Sequence, residues 1–263
     1  MPDIRLEQDG RVLVLVVDRP QARNALAAST MEELDAALRE LEDRRDVHCA
    51  VITGAGERAF IAGGDLKELE SLRDADSARA MAQAMRSTLD RIPTLPVPVI
   101  AAVNGAALGG GAEVAIACDF RVAADDARLG FTQALLGLMP AWGGIERLAG
   151  STGRSRALYL LTTGRVLSGQ EAVDWGVVEE CVPRAGFEAR WRQLARQVAG
   201  APREVLAGIK AAMQAAHPGS RPDLAAPAIA DFARAWADPR HWEMAEALER
   251  ARRDRRAGDP EQG

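Results

Sequence analysis

Val103-Asn104-Gly105-Ala106-Ala107-Leu108-Gly109-Gly110-Gly111-Ala112-Glu113-Val114-Ala115 joins a short apolar strand to an almost wholly apolar helix through three successive glycines. Those glycines license unusual φ values and a close ligand approach. The helix start adds unpaired N–H groups in a field that favours negative charge. Working outward, Val97 to Val103 reads as a strand ended by Asn104-Gly105, the helix runs on to Cys118, and Phe120 to Ala123 reads as the next strand. Strands alternating with helices indicate an α/β chain.

A second glycine-centred segment lies upstream, Arg58-Ala59-Phe60-Ile61-Ala62-Gly63-Gly64-Asp65-Leu66-Lys67-Glu68-Leu69. A strand-like Phe-Ile pair passes through Gly63-Gly64 into Asp65, a good residue to start the helix that follows. Taken singly, each cluster reads as a tight turn. Together they offer two outward-facing amides, which is what a developing enolate oxygen needs, because preorganised neutral donors stabilise charge without first shedding a hydration shell.

The remaining elements fit the same class. Arg5 to Asp9 and Val12 to Val17 read as a hairpin around Gly10, and His48 to Thr53 as a strand ended by Gly54-Ala55-Gly56. Ser29 to Arg44 reads as a helix with Ser29 as N-cap and Met31, Leu34, Leu38 and Leu41 on one stripe. Past Gly143 the pattern turns helical at Arg154 to Leu161, Ser168 to Trp175, Phe187 to Ala199, Arg203 to Ala216 and Leu224 to Ala237, with a frayed tail after Asp254. No internal repeat is visible.

With 263 residues, 48% of them hydrophobic and 27% charged, the chain can bury one large core. A formal net charge of −5 argues against a nucleic-acid-binding surface. Cys49, Cys118 and Cys181 lack metal-ligand spacing and fit a reducing cytosol. The first residues lack the order of a signal peptide, and every apolar run is too short or too interrupted to span a bilayer, so the expected location is cytoplasmic. No Walker loop, dinucleotide fingerprint or Gly-x-Ser-x-Gly elbow occurs, and His48, His217 and His241 are too scattered for a metal site or a triad.

At this point the chain resembles the crotonase, or enoyl-CoA hydratase/isomerase, superfamily. The resemblance rests on Asp18-Arg19-Pro20 with Asn24-Ala25-Leu26, the Ala59 to Leu69 and Asn104 to Asp119 segments, Pro140-Ala141-Trp142-Gly143-Gly144, and Gly164 to Gly176. It implies a crotonase-like spiral of ββα turns over residues 1–200, carrying an acyl-CoA site. Residues 201–263 would form a C-terminal helical region serving a homotrimer or a dimer of trimers.

By motif position the resemblance assigns the two oxyanion amides to Gly64 and Gly110 and the catalytic base to Glu113. The second glutamate of the hydratases falls at Gln133, an amide that can hold water or substrate but cannot be the α-carbon acid. Arg23 matches a position near the CoA phosphates, and Ala62, Asp65 and Leu66 match the wall that reads adenine. Pro140, Ala141 and Trp142 match the acyl region, where a large indole would restrict chain length. Trp142 also reads as an ordinary packed aromatic; Trp175, Trp191, Trp236 and Trp242 read as core or subunit contact, and Tyr159 as packing.

The resemblance thus implies an acyl-CoA thioester lyase that adds or removes water, with no metal and no cofactor beyond the CoA carried by the substrate. Two alternatives stay open. Leu136 to Gly144, Gly109 to Glu113 and Ala117 to Arg121 also resemble the ethylmalonyl-CoA decarboxylase branch, in which loss of CO2 would generate the enolate without a base. A non-catalytic acyl-CoA-binding or scaffold member is the reading from another class.

Overall fold

The computed structural model describes residues 2–216 and 222–258. The chain opens with β1 (Ile4–Asp9) and β2 (Val12–Val17), then α1 (Ala28–Asp43), β3 (Cys49–Gly54) and β4 (Ala59–Ile61). Next come α2 (Leu66–Leu69), α3 (Ala75–Arg91), β5 (Val99–Val103), β6 (Ala106–Leu108) and α4 (Gly110–Ala117). β7 (Phe120–Ala124) and β8 (Arg128–Gly130) precede a 3-10 turn at Gln133–Leu136, α5 (Gly144–Thr152) and α6 (Arg154–Thr163). The chain continues through β9 (Val166–Ser168), α7 (Gly169–Asp174), β10 (Glu180–Val182) and α8 (Arg184–Ala199). It closes with α9 (Arg203–Ala216), α10 (Pro222–Ala237) and α11 (Pro239–Gly258).

Two sheets result, in the orders β1-β2-β3-β5-β7-β10 and β4-β6-β8-β9. β3, β5 and β7 each give way to a short strand of the second sheet and then to helical structure. This is the spiral of ββα turns the resemblance implies, a repeat of geometry with no repeat of sequence. Parallel pairing runs from β2 through β10, and β2, β3 and β5 are buried along their whole length. Strands covered on both faces read as continuous apolar runs, which is why they are legible as VLVLVV, CAVITG and VIAAV.

Buried amides lock the loops that lead to the second sheet. Asn104 Nδ2 donates to Gly54 O (2.8 Å) and Gly56 O (2.6 Å), while its Oδ1 accepts from Gly54 N (3.1 Å). Asn24, in the left-handed region at φ 56°, donates from Nδ2 to Ala55 O (3.0 Å) and Ala59 O (2.7 Å). Each satisfies carbonyls that a loop buried between two sheets would otherwise leave without partners.

Several boundaries depart from expectation. Ser29 is not the N-cap of α1: the cap is Ala27, whose N–H donates to Thr30 Oγ1 (3.3 Å), and Ser29 Oγ donates instead to Asp3 (2.9 Å). Asp3 competes for the hydroxyls and shifts the helix start. Where a helix is expected from Ser168, a capping box starts it, with Ser168 Oγ accepting from Glu171 N and Glu171 Oε2 accepting from Ser168 N. The tail after Asp254 does not fray at once; α11 stays helical to Gly258, in a stretch rich in Ala, Glu and Arg. His217 and residues 259–263 lie outside the described residues. Tyr159 is 45% exposed rather than packed, its ring 5.6 Å from that of Trp175.

The helices after residue 200 pack on this chain's own core. Arg203, buried, donates to Val47 O and Glu42 O, and buried Lys210 donates to Ile92 O (2.9 Å), Val97 O (2.9 Å) and Asp119 Oδ2 (2.7 Å). α10 lies along α3, and α11 packs on the turn that carries Gln133, where His241 Nδ1 donates to Leu136 O (2.7 Å).

Candidate active site

β4 and β6 lie parallel, Ala59 beside Ala106 and Ile61 beside Ala107, so the two glycine turns leave the second sheet at the same edge. Gly109 takes φ +55°, a value open to glycine, and Gly110 begins α4. Any side chain at Gly111 would run into the Ile61 carbonyl, so bare backbone lets α4 sit against β4. In the other turn Leu26 brackets Gly64: Leu26 N donates to Gly63 O and Asp65 N donates to Leu26 O, both at 2.8 Å. The N–H groups of Gly64 and Gly110 meet no protein acceptor among the described residues.

Glu113 sits in the first turn of α4 and is 2% exposed. Its Oε1 accepts from the N–H groups of Trp142 and Gly144, each at 2.9 Å. Its Oε2 accepts from Gln133 Nε2 at 3.0 Å. Burial pushes the carboxyl pKa up to about 7, against the pull of the Gly144 and Trp142 amides, Arg147 and Gln133. Although it lies in the first turn of α4, this acid turns to a neighbouring loop and is poised near neutrality, where a general base is most effective.

Gln133 is 7% exposed, and its Oε1 has no partner among the described residues. One lone pair of Glu113 Oε2 and the Gln133 carbonyl oxygen are therefore adjacent acceptors, the pair a single water or hydroxyl could bridge. Trp142 is 5% exposed and its ring lies over Gly110, so closely that a Cβ there would overlap it. Pro140 and Ala141 are buried beside it.

The structure thus brings Glu113, Gln133, Trp142 and Gly110 together. Arg23, Ala62, Asp65 and Leu66 lie at a second locus. Arg23, at φ 53°, accepts the Ala62 N–H at its carbonyl (3.2 Å) and lines a cleft of about 270 Å³ with Asn24, Gly56 and Arg58. Asp65 caps α2 and pairs with buried Arg19 (3.0 Å), so its carboxylate is occupied as a structural tie. Leu66 opens α2 beside it.

Two contributions escaped the sequence. The amides that grip Glu113 belong to Trp142 and Gly144, and backbone donors leave no side-chain signature beyond the Gly143-Gly144 pair. Arg147 donates to Trp142 O (2.7 Å) and pairs with Asp90 on α3, a partner distant in sequence. Among the described residues no His, Cys, Asp and Glu cluster could hold a metal ion, and no helix is long and apolar enough to cross a membrane.

Comparison with known proteins identifies the family. The profile of the family described as Enoyl-CoA hydratase/isomerase matches residues 7–226. The chain is 34% identical over 223 residues to the short-chain-enoyl-CoA hydratase of Clostridium acetobutylicum, covering 84% of each chain. It is 39% identical over 180 residues to the crotonyl-CoA hydratase of Syntrophomonas wolfei, covering 68% of this chain and 69% of that one. The crystal structure of an enoyl-CoA hydratase from Bacillus anthracis superposes with a TM-score of 0.79 at 32% identity, covering 95% and 96% of the two chains. These comparisons lend no support to the decarboxylase branch. On fold, motif and relatedness together, this chain belongs to the enoyl-CoA hydratase/isomerase family, within the crotonase superfamily.

Proposed function

We propose that the protein adds water across the 2,3 double bond of a short enoyl-CoA thioester, and runs the reverse elimination, with Glu113 as its one acid-base group. The observation that carries this reading is the buried Glu113 carboxyl, tuned to about pH 7 and paired with an amide rather than a second acid. Glu113 takes a proton from water as the water oxygen bonds to C3. The double-bond electrons move toward the thioester oxygen, which the Gly64 and Gly110 amides receive. The enolate then collapses and C2 takes the proton back from Glu113, so the carboxylate is regenerated and the net change is one water added. Gln133 Oε1 holds the second hydrogen of that water.

The names of the relatives support a short acyl chain, as does the Trp142 ring over Gly110. CoA enters as part of the substrate, and the chemistry asks for no metal or resident cofactor, since the thioester already acidifies the α-carbon. Arg23 would meet the CoA phosphates, with Ala62, Asp65 and Leu66 along the adenine. The reading includes a homotrimer or dimer of trimers in the cytosol. Exposed Val205, Ile209 and Met213 on one face of α9 support a subunit contact, and sedimentation velocity tests it. The reaction itself is tested by mass: incubated with crotonyl-CoA, 3-hydroxybutyryl-CoA and ethylmalonyl-CoA, the protein should interconvert the first two and leave the third intact. Loss of CO2 from the third, with no water exchange, would replace this reading, and no turnover of any ester would favour a binding protein.

A further inference from the structure

Glu113 draws two of its three hydrogen bonds from peptide N–H groups of one short loop, and something must hold that loop in place. Arg147, in the first turns of α5, is placed to do so. Its Nη1 donates to the Trp142 carbonyl at 2.7 Å, and its Nη2 pairs with Asp90 of α3. The Trp142 residue whose carbonyl Arg147 holds donates its own N–H to Glu113 Oε1. Gly143 stands between, at φ +94°, where any side chain would collide with the Arg147 guanidinium. Asp90 is itself fixed by Arg86, which also pairs with Glu146.

We propose that Arg147 is a positioning residue of this site: braced on Asp90, it holds the 142–144 loop, and with it the Trp142 and Gly144 amides, against Glu113. The inference rests on Glu113 being the base. The charged groups facing this arrangement are Arg147 and Glu146 on α5 and Arg86 and Asp90 on α3, and Gln133 is the neutral neighbour on the remaining side. A buried guanidinium near a buried carboxyl favours its ionised form, and Arg147 does act on Glu113 in that sense, while Asp90 and Glu146 in turn stabilise Arg147 as a cation. In a one-acid mechanism both directions begin from ionised Glu113. Arg147 therefore governs the pH at which the enzyme switches on without touching the substrate.

The test is the pH profile of kcat/KM for crotonyl-CoA hydration, alongside an infrared titration of the protonated carboxyl band that disappears in Glu113→Gln. In Arg147→Met the acid limb should move up by about one pH unit, and kcat at pH 8 should fall roughly tenfold or more with KM little changed. Arg147→Lys should return the limb most of the way by restoring charge. Asp90→Asn, which weakens the brace on Arg147, should move the limb up by less than Arg147→Met does. An unmoved limb in folded Arg147→Met, or Arg147→Lys no better than Met, overturns the proposal. Should Arg147→Met fail to fold, Asp90→Asn decides, and a limb unmoved or lowered there overturns it. The infrared band separates the two readings: if the wild type hydrates nothing yet the band shifts in Arg147→Met, the proposed reaction fails and the positioning role stands.

Discussion

Gln133 donates its side-chain N–H to Glu113 Oε2 at 3.0 Å, and both residues are buried. A second carboxylate at this distance would share a proton with the first. The amide instead leaves Glu113 as the one titrating group of the pair, and the profile of kcat/KM should rise with pH through about 7 to a plateau. Gln133→Glu should convert that single limb into a bell, because one carboxyl must then stay protonated. A profile that keeps its shape in Gln133→Glu would place position 133 outside the chemistry.

Glu113→Gln is nearly isosteric, since Gln133 can turn its carbonyl toward the new amide. Hydration should fall by about 10²-fold or more, while CoA-ester affinity measured by calorimetry stays within a few-fold. Full retained turnover would remove Glu113 as the base.

The same variant reports on stability. Between the ordinary carboxyl value of 4.5 and about 7, the folded protein keeps a proton at Glu113 that the unfolded chain has released. Wild-type stability therefore declines as pH rises through this window, and the loss is complete above it. Glu113→Gln lacks that loss, so its stability advantage should be small at pH 5 and grow toward pH 8, by an amount on the order of 3 kcal/mol at most. Thermal denaturation at the two pH values checks the sign, and an advantage that shrinks with pH contradicts the buried-carboxyl reading.

Trp142 lies over Gly110, and its removal should enlarge the acyl end of the site. Trp142→Ala should raise kcat/KM for longer enoyl-CoA esters relative to crotonyl-CoA. It should also cost about 3–5 kcal/mol of stability as a core truncation. An unchanged chain-length preference in the folded variant would make the indole simple packing.

Lys210 places all three of its ammonium hydrogens on Ile92 O, Val97 O and Asp119 Oδ2, joining α9 to the start of β5 and the end of α4. Lys210→Met should destabilise by about 3–5 kcal/mol, because it strands a largely buried carboxylate. Adding Asp119→Asn should recover part of that loss. If urea denaturation shows the double variant no more stable than the single, the ion pair is not what joins these elements.

Much of the spiral is written in local chemistry. A short, valine-rich apolar run such as Val12–Val17 favours a strand buried on both faces, and Ser168 with Glu171 caps a helix through contacts three residues apart. The turns at Gly63-Gly64 and Gly109-Gly111 are equally local, since they answer to backbone freedom at single residues. The α3 helix, Ala75–Arg91, carries no comparable apolar run. Its small-residue face is apolar enough only once α1 and α10 cover it. Tertiary structure alone decided the state of Glu113. Its raised pKa comes from burial, and its partners at 133, 142 and 144 come from other turns of the spiral, held in turn by Arg147 and Asp90. Desolvation and hydrogen bonds between distant segments exist only after the chain has folded, so no spacing along the sequence encodes them.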